Sequence, residues 1–496
     1  MSNPTLVQYF HWHISPEENL WKFTTSEAAH LSELGITHAW LPPAYKSADG
    51  VNEPGYAVYD LFDLGEFDQK GTVRTRYGTK EEYLECIRAL HNNGIRVLAD
   101  IVLNHKQGGD EKEKVPVQQV DFENRNKMIG EPTEIEAYTR FTFPGRKGKY
   151  SDFIWNFHSF TGVDGGENGL HKVYLILNEY GNEWKNVPGD EKENFDYLMG
   201  SDIEFRNPHV KEELKWWGRW YIETTGIDGF RFDALKHIDP AFINEWLQHL
   251  KDHFKKDFFS IGEYWQNDAD ELNQCIESTH GQIHLLDVPL HFNFVDASLE
   301  HEKYDLRRIF DNTLLSKNPE RAITFIDNHD TQPMQTLESP VEYWFKPHAY
   351  AITLLREAGI PCIFFPSLYG AKYGGINEKG EEIQIEIIGV PELYRMLRVR
   401  RELAYGNQRD YFDHPNTVGW TREGIDEMPH SGCAVLLTNG AEGHKTMELG
   451  KRNAGKIFVD IYGKRKEKIT MDEEGKGEFK VNERSVSIWV EEDFEI

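Results

Sequence analysis

The sequence predicts a (β/α)8 TIM barrel with a β-rich insert after its third strand and an antiparallel β domain at its C-terminal end. Short apolar runs that suit buried parallel strands recur eight times, and several segments between them have the spacing of amphipathic helices. After Arg401 the pattern changes to short alternating strands separated by turn residues. Alternating strands and helices imply a parallel sheet, and eight such units close into a barrel.

The candidate barrel strands are short and almost continuously apolar. Between them, Glu81–His91 and Val210–Thr224 have helical periodicity, and each ends near a glycine, Gly94 or Gly226, that can terminate a helix. The eight strand candidates are Thr5–Phe10, Ile36–Leu41, Ile95–Leu103, Ile227–Phe232, Phe258–Ile261, Ile283–Val288, Ala322–Ile326 and Ile360–Phe365.

Two gaps between these strands are too long for a single connection. Residues 45–78 are rich in Gly, Asp and Tyr and predict an extended loop above the barrel. Residues 105–205 contain β-like runs such as Lys172–Leu177 and predict an inserted domain, because long structureless loops are uncommon in compact domains. We expect the catalytic barrel at 1–104 and 206–404, the insert at 105–205, and a C-terminal β-sandwich at 405–496 with strands Cys433–Leu437, Lys456–Val459 and Val486–Val490.

The composition is that of a globular protein with a large excess of acidic groups. The 496 residues include 55 Lys and Arg against 83 Asp and Glu, a net charge of −28. This charge disfavours nucleic acid and anionic membranes as partners, whereas a neutral, hydroxyl-rich ligand is indifferent to it. Aromatic residues make up 13%. Core packing explains most of them, and the excess mildly favours a carbohydrate ligand because sugar faces stack on aromatic rings.

Three observations predict a cytoplasmic protein. The first ten residues lack the basic start and apolar core of a signal peptide. No apolar run approaches the roughly 20 residues that a membrane span needs. The cysteines are scattered, with no CxxC pair and no disulfide-framework spacing, at Cys86, Cys275, Cys362 and Cys433.

The segment from Ile227 to His237 carries the most functional information in the chain. Arg231 and Asp233 are two residues apart on a predicted strand, so their side chains share one face. A neighbouring guanidinium favours the ionised form of the carboxylate. Taken alone, the pair is equally well explained as a structural ion pair at the end of a strand.

Polar residues also follow three other predicted strands, where the catalytic face of a barrel is built. Asn104 and His105 end the third strand, Glu263-Tyr-Trp265 ends the fifth, and Asp327-Asn-His329-Asp330 ends the seventh. Each acid alone is explained as a helix cap or a solvated loop residue. Together they indicate a catalytic site on one face of the barrel.

Two carboxylates that face each other across a pocket suit glycoside hydrolysis. Asp233, beside Arg231, is the candidate nucleophile. Glu263 lies beside two aromatic residues and has no adjacent cation in the sequence, so a raised pKa and an acid role are expected there. Asp330 would hold sugar hydroxyls and bias the Glu263 proton, with two histidines as neutral hydrogen-bond donors. A retaining mechanism requires the two carboxyl groups to be about 5–5.5 Å apart.

The segments DIVLNH, GIDGFRFDALKH, GEYW and FIDNHD resemble the four signature regions of the α-amylase family of glycoside hydrolases. The wider sequence most resembles the bacterial liquefying α-amylases, particularly their cytoplasmic branch. This resemblance implies a retaining endo-hydrolase of α-1,4 bonds in starch, glycogen and maltodextrins, with Asp233 as nucleophile, Glu263 as acid/base and Asp330 as transition-state stabiliser. The implied substrate-binding residues are Tyr56, His105, Arg231 and His329 at the reacting glucose, and Lys236, His237 and Trp265 on the leaving-group side.

The resemblance also implies one structural Ca²⁺ between the barrel and the insert. The matching oxygen ligands are Asn104, Asp196, Asp202 and the backbone carbonyl of His237. Relatives have Asp-Ile-Asp-Tyr-Asp where this chain has Asp202-Ile-Glu-Phe-Arg206. We therefore predict that any additional metal cluster, to which Asp164 would have belonged, is lost or weakened, with its charge partly replaced by the guanidinium.

Other functions stay open at this point. The same acids serve transglycosylating, isomerising and oligosaccharide-specific relatives, so group transfer is the alternative to hydrolysis. A non-catalytic barrel that binds glucan or a protein is disfavoured because all three acids are present. A metal-dependent hydrolase is disfavoured because no cluster of His and Asp at metal-ligand spacing lies at the strand ends. We expect an α-glucan or maltooligosaccharide as the partner, no nucleic acid, no membrane, and a monomer.

Overall fold

The structure is a computed structural model that describes residues 3–165, 172–376 and 379–494. Eight parallel strands close into a barrel, in which each strand pairs with its neighbour along the chain and the first pairs with the eighth. Every one of them lies at one of the eight predicted apolar runs, so the predicted barrel is confirmed. The strands are Leu6–Gln8, His38–Leu41, Arg96–Ile101, Gly229–Phe232, Phe259–Gly262, His284–Leu286, Ala322–Phe325 and Ile360–Phe364.

The apolar runs form strands because both faces of a barrel sheet are covered. In Arg96–Ile101 every residue after the first is buried, and all four residues of Gly229–Phe232 are buried. A strand with two covered faces has a continuous apolar sequence instead of an alternating one. The side chains that interrupt this apolar character are therefore the candidates for a function other than packing.

Helices cover the outside of the barrel. The predicted helix Glu81–His91 lies within Lys80–Asn92, where Thr79 forms a capping box with Glu82. The predicted helix Val210–Thr224 lies within Pro208–Thr225 and ends at Gly226, whose φ of +73° favours glycine. Within the described residues the α-helices are Leu20–Glu33, Lys80–Asn92, Pro208–Thr225, Pro240–Phe254, Ala269–Ser278, Val288–Glu300, Leu314–Lys317, Lys346–Leu355, Phe365–Tyr369 and Glu392–Glu402.

The chain between the third and fourth barrel strands forms a separate six-stranded sheet. Its last strand, Ser201–Ile203, pairs antiparallel with its first, His105–Lys106, and sets Asp202 opposite His105. The chain thus returns to the point where it left the barrel, which brings the two ends of the insert together beside the catalytic face. The strands are His105–Lys106, Glu111–Val120, Met128–Arg140, Phe160–Gly165, Lys172–Ile176 and Ser201–Ile203.

Two short hairpins extend the connections of the barrel, Lys46–Ser47 with Val58–Asp60 and Ala371–Ile376 with Glu382–Ile387. The C-terminal part of the chain is an antiparallel β structure, as predicted. One sheet contains Gln408–Tyr411, Thr417–Arg422, Cys433–Thr438, Val486–Glu491, Ile457–Asp460 and Ile469–Thr470, and a second contains Gly443–Glu448 and Lys476–Val481.

The two C-terminal sheets share a small core of their own, which includes Leu436, Met447, Phe479 and Trp489. The domain limits at residues 105, 205 and 405 stay predictions. Each of the three predicted domains also contains residues outside the described ranges. In the described part of the chain, no helix combines the length and the apolar character needed to cross a membrane.

Candidate active site and metal-binding cluster

Arg231 joins three carboxylates at the catalytic end of the barrel. Its Nη1 lies 2.6 Å from Asp233 Oδ1 and 3.0 Å from Asp100 Oδ1, and its Nη2 lies 3.3 Å from Glu263 Oε2. The side chains of Arg231 and Asp100 have no exposed surface, whereas those of Asp233 and Glu263 are each 13% exposed. Of these three carboxylates, Asp233 and Glu263 are therefore the two that a ligand can reach.

The structure corrects one reason given for the acid role of Glu263. The sequence shows no cation beside this residue, but strand register places Arg231 opposite Ile261, so its guanidinium reaches the neighbouring strand end. Burial still raises the pKa of Glu263, with a further rise from Asp233, although the Arg231 charge opposes the shift. The expectation of a protonated acid thus rests on desolvation and on the nearby Asp233 carboxylate.

Ala234, between the strand and its following turn, holds the acid in place. Its φ of +50° places Ala234 in the left-handed region, where the backbone of a residue with a Cβ atom is strained. This turn directs the Ala234 N–H at Glu263 Oε2, to which it donates at 2.9 Å. The hydrogen bond fixes the orientation of the Glu263 carboxyl group relative to Asp233.

Asp100 is a member of the site that the sequence prediction missed. It accepts hydrogen bonds from Trp40 Nε1 at 2.9 Å and from the Tyr56 hydroxyl at 2.8 Å. Burial raises the pKa of Asp100 to about 6 against the opposing charge of Arg231. Because it has no exposed surface, Asp100 positions Arg231 and Tyr56 instead of contacting a ligand. An acid inside an otherwise apolar strand was the signal that could have identified it.

His329 and Asp330 lie beside the two acids. His329 Nε2 is 3.4 Å from Asp330 Oδ2, and its Nδ1 lies 2.9 Å from Gln8 Nε2. An amide N–H donates to Nδ1, which leaves Nε2 to carry the ring proton. Burial lowers the pKa of His329 well below its usual value, and burial and the Glu263 charge raise the pKa of Asp330 well above its own. The histidine is therefore neutral, and Gln8 is a second residue that the sequence did not identify.

Three flat rings form one wall of the cleft. The rings of Tyr56, Trp12 and His329 are mutual neighbours with nearly parallel planes: the ring centroids are 5.4 Å apart for Trp12 and Tyr56, 5.0 Å for Tyr56 and His329, and 6.0 Å for Trp12 and His329. His105 Nε2 lies 3.0 Å from the Tyr56 carbonyl, and burial lowers the pKa of His105, so this ring is also neutral. The predicted residues Tyr56, His105 and His329 are thus brought together. Trp12 is a third residue of the site, after Asp100 and Gln8, that the sequence did not identify.

The other predicted substrate-binding residues lie where the barrel meets the insert. Lys236 bonds to the carboxylate of Glu191, and the His237 ring bonds to the Phe195 carbonyl. Burial lowers the pKa of His237 to about 4. Trp265 packs edge-on against Phe292 in the helix Val288–Glu300. These contacts tie the fourth strand end to residues 191–195 of the insert, next to Asp196.

The predicted calcium ligands form a buried cluster at this junction. Asn104 Oδ1 and Asp202 Oδ1 are buried and have no hydrogen-bond partner in the described part of the chain, and Asp196 Oδ1 is buried 3.2 Å from the Lys185 ammonium. Two unpaired oxygens, one from an amide and one from a carboxylate, suit a hard cation such as Ca²⁺. Among the described residues no three Asp, Glu, His or Cys side chains converge on one metal position, so the amide oxygen is a necessary member of this set.

Two fixed cations lie in the same cluster. Lys185, which the sequence prediction did not identify, places Nζ 2.8 Å from Asp202 Oδ2 and 3.2 Å from Asp196 Oδ1. Arg206 donates two hydrogen bonds to the Glu204 carboxylate, from Nε to Oε1 at 2.8 Å and from Nη2 to Oε2 at 2.6 Å. Arg206 thus binds the neighbouring carboxylate of Glu204, and Asp164 is exposed and accepts a hydrogen bond from Gly200 N.

Comparison with known proteins places this geometry in a family. Residues 21–387 match the family described as Alpha amylase, catalytic domain, and residues 433–490 match Alpha-amylase C-terminal. The chain is 46% identical over 495 residues to the cytoplasmic alpha-amylase of Escherichia coli (strain K12), covering 99% of this chain and 100% of that protein. It is 45% identical over 489 residues to an alpha-amylase of Geobacillus stearothermophilus, covering 98% and 87%.

Solved structures agree on the fold. A cyclomaltodextrin glucanotransferase with a three-domain ABC distribution superposes with a TM-score of 0.64 at 18% identity, covering 100% of both chains. At that identity the likeness shows the fold alone.

Proposed function

The chain belongs to the α-amylase family of glycoside hydrolases, and we propose that it cleaves internal α-1,4-glucosidic bonds with retention of the anomeric configuration. The observation that carries the proposal is the attachment of Asp233 and Glu263 to two nitrogens of the single Arg231 guanidinium. This arrangement supports the short carboxylate separation, about 5–5.5 Å, that a retaining mechanism requires.

Asp233 acts as the nucleophile in the first step. Its carboxylate forms a bond to the anomeric carbon as the bond to the leaving oxygen breaks, and Glu263 gives its proton to that oxygen. In the second step the Glu263 carboxylate takes a proton from water, whose oxygen attacks the anomeric carbon and releases Asp233. Arg231 stabilises the ionised Asp233 before attack and after release, because it lies 2.6 Å away.

The surrounding residues hold the reacting sugar. His329 donates a hydrogen bond as a neutral ring, in accord with its lowered pKa, whereas neutral His105 donates its one ring proton to the Tyr56 carbonyl and lines the subsite. Asp330 binds sugar hydroxyls and competes with Glu263 for negative charge, because burial and the Glu263 charge raise the pKa of Asp330 well above its usual value. The flat wall that includes Tyr56 and Trp12 packs against the ring, while Lys236, His237 and Trp265 line the leaving-group side.

One Ca²⁺ at Asn104, Asp196, Asp202 and the His237 carbonyl completes the proposal. Its role is structural: it would neutralise buried carboxylates where the insert meets the barrel. The unpaired Oδ1 atoms of Asn104 and Asp202 support this assignment. We further propose that the protein is cytoplasmic and acts on glucans or maltodextrins, supported by its likeness to a protein named cytoplasmic alpha-amylase, and that it is a monomer.

Product analysis tests the proposed reaction. Purified protein is incubated with soluble starch and with a single maltooligosaccharide, and product lengths and the initial anomeric form are measured. Short oligosaccharides that are initially α-anomeric are expected. Initially β-anomeric products would overturn retention, and products longer than the input oligosaccharide would identify a transferase instead of a hydrolase.

The raised pKa of Glu263 predicts the alkaline limb of activity. The acid must be protonated for the first step, so kcat/KM falls as pH rises through its pKa. Because burial and Asp233 raise that pKa, the limb is expected at higher pH than for an ordinary glutamic acid. A pH profile of kcat/KM checks this. With a fluoride leaving group, which needs no proton, the glycosylation step should lose this limb, and an unchanged limb would contradict the assignment.

A further inference from the structure

Lys185 is a charged side chain enclosed entirely by the insert–barrel junction. Only 1% of its side chain is exposed, and its Nζ contacts Asp202 Oδ2, Asp196 Oδ1 and the Ile203 carbonyl. Its own backbone N–H also donates to Asp196 Oδ2 at 3.0 Å. A lysine is rarely buried unless it is paired. In the described part of the chain each ion pair and hydrogen bond of this ammonium is to a carboxylate or carbonyl oxygen, and the Phe205 ring lies 4.7 Å from Nζ.

The contacts divide the cluster into two sides. Asp202 Oδ2 accepts a hydrogen bond from Lys185 Nζ, while Asp202 Oδ1 has no hydrogen-bond partner among the described residues. Asn104 Oδ1 is likewise unpaired, and the Asn104 carbonyl accepts from Ile203 N at 2.9 Å, so this residue lies beside the same strand. One side of the acid cluster is thus filled by the ammonium, and the other presents free oxygens.

We propose that Lys185 is a built-in cation that takes the place of a metal ion in this cluster, so that the junction accepts a single divalent ion. The lysine supplies the fixed charge between Asp196 and Asp202, and the remaining free oxygens form the one metal position. Arg206 completes the arrangement by neutralising Glu204, the third buried carboxylate.

The charge balance supports one divalent ion and no more. Three buried carboxylates, Asp196, Asp202 and Glu204, face the two fixed cations Lys185 and Arg206, which leaves one negative charge. One divalent ion already exceeds that charge. A second would need the oxygens that now contact Lys185 and would add further positive charge to a site with little water to screen it.

Metal content and unfolding of the purified full chain test the proposal. After chelation and removal of the chelator, wild type is titrated with Ca²⁺ and its bound ions are counted by elemental analysis; one per chain is expected. The chelated wild type should remain folded. Its unfolding midpoint should respond to NaCl no more than to choline chloride, because Lys185 leaves no position for a sodium ion.

Lys185→Met is the matched perturbation. It removes the ammonium while retaining much of the side-chain volume, so the midpoint of the chelated variant should fall by on the order of 5 °C. It should also gain a response to NaCl over choline chloride, or a second bound Ca²⁺. Lys251→Met is the control and should leave both readouts unchanged, because among the described residues the Lys251 ammonium forms a single ion pair, with Asp257 at the surface.

The outcomes separate the two claims about this cluster. Two or more tightly bound ions in wild type, or a Lys185→Met protein with the midpoint and metal content of wild type, would overturn the built-in cation. No bound Ca²⁺ in wild type would remove the calcium site proposed above, yet a lower midpoint in Lys185→Met would still support Lys185. If Lys185→Met does not fold, the number of Ca²⁺ ions bound to wild type and the response of its unfolding midpoint to NaCl test the proposal. None of these readouts depends on hydrolytic activity.

Discussion

Glu263→Gln should lower kcat on soluble starch by about 10³–10⁴-fold while leaving glucan binding nearly unchanged. The amide has almost the size of the acid and its oxygen can still accept the Ala234 N–H, so the loop should keep its conformation. What the variant loses is the proton for the leaving oxygen. Steady-state kinetics on starch and titration with a maltooligosaccharide measure the two effects separately.

A substrate with a fluoride leaving group separates the acid role from general damage. Fluoride departs without protonation, so Glu263→Gln should still release a burst of fluoride stoichiometric with enzyme, then stall for lack of a base. Glu271→Gln is the control, because this partly buried carboxylate is close by in sequence and accepts from Gln266 Nε2 at 3.0 Å. Near-normal starch turnover by Glu263→Gln, or loss of the fluoride burst as well, would contradict the assignment.

Arg231→Met should destabilise the fold by about 3–5 kcal/mol and abolish turnover. Asp100 has no exposed surface and loses the one cation that contacts it in the described structure, and Asp233 loses its partner at 2.6 Å. Removing one member of a buried ion cluster leaves uncompensated charge, which is the costly way to break it. Chemical unfolding at fixed pH measures the loss.

The pH dependence of that loss distinguishes charge from packing. Burial already raises the pKa of Asp100 to about 6 with the guanidinium present, and removing Arg231 raises it further. A carboxyl group whose folded pKa lies above its unfolded pKa loses stability as pH rises through the folded value. The deficit of Arg231→Met should therefore be smaller at pH 5 than at pH 8. Arg88→Met, which removes an exposed ion pair, should show no such trend, and a pH-independent deficit in Arg231→Met would contradict the charge account.

The sequence predicted the barrel because its strands carry a simple signal. Runs such as Ile95–Leu103 are apolar throughout since both faces of the sheet are covered, and this feature does not depend on distant residues. The reachable members of the site were predictable for a related reason. Asp233, Glu263 and Asp330 interrupt the apolar pattern at the carboxyl ends of strands, which meet on one face of a barrel.

The missed residues depend on contacts that no local pattern records. Glu263 receives its cation from Arg231, 32 residues earlier, through the register of neighbouring strands. Gln8 reaches His329 across 321 residues when the first strand closes the barrel. Lys185 lies between secondary-structure elements, in a segment without regular periodicity. It contacts Asp202 only because the strand Ser201–Ile203 returns to the barrel. Such residues are fixed by barrel closure and by the return of the insert.

Covalent labelling of Asp233 is the measurement that tests the central claim most directly. Glu263→Gln is incubated with an activated α-maltosyl fluoride, quenched in acid, digested and analysed by peptide mass spectrometry. The retaining mechanism predicts one maltosyl unit attached to Asp233, and no label when Asp233→Asn is added to the same protein. A maltosyl unit on Asp330, or a full fluoride burst with no labelled peptide, would contradict it.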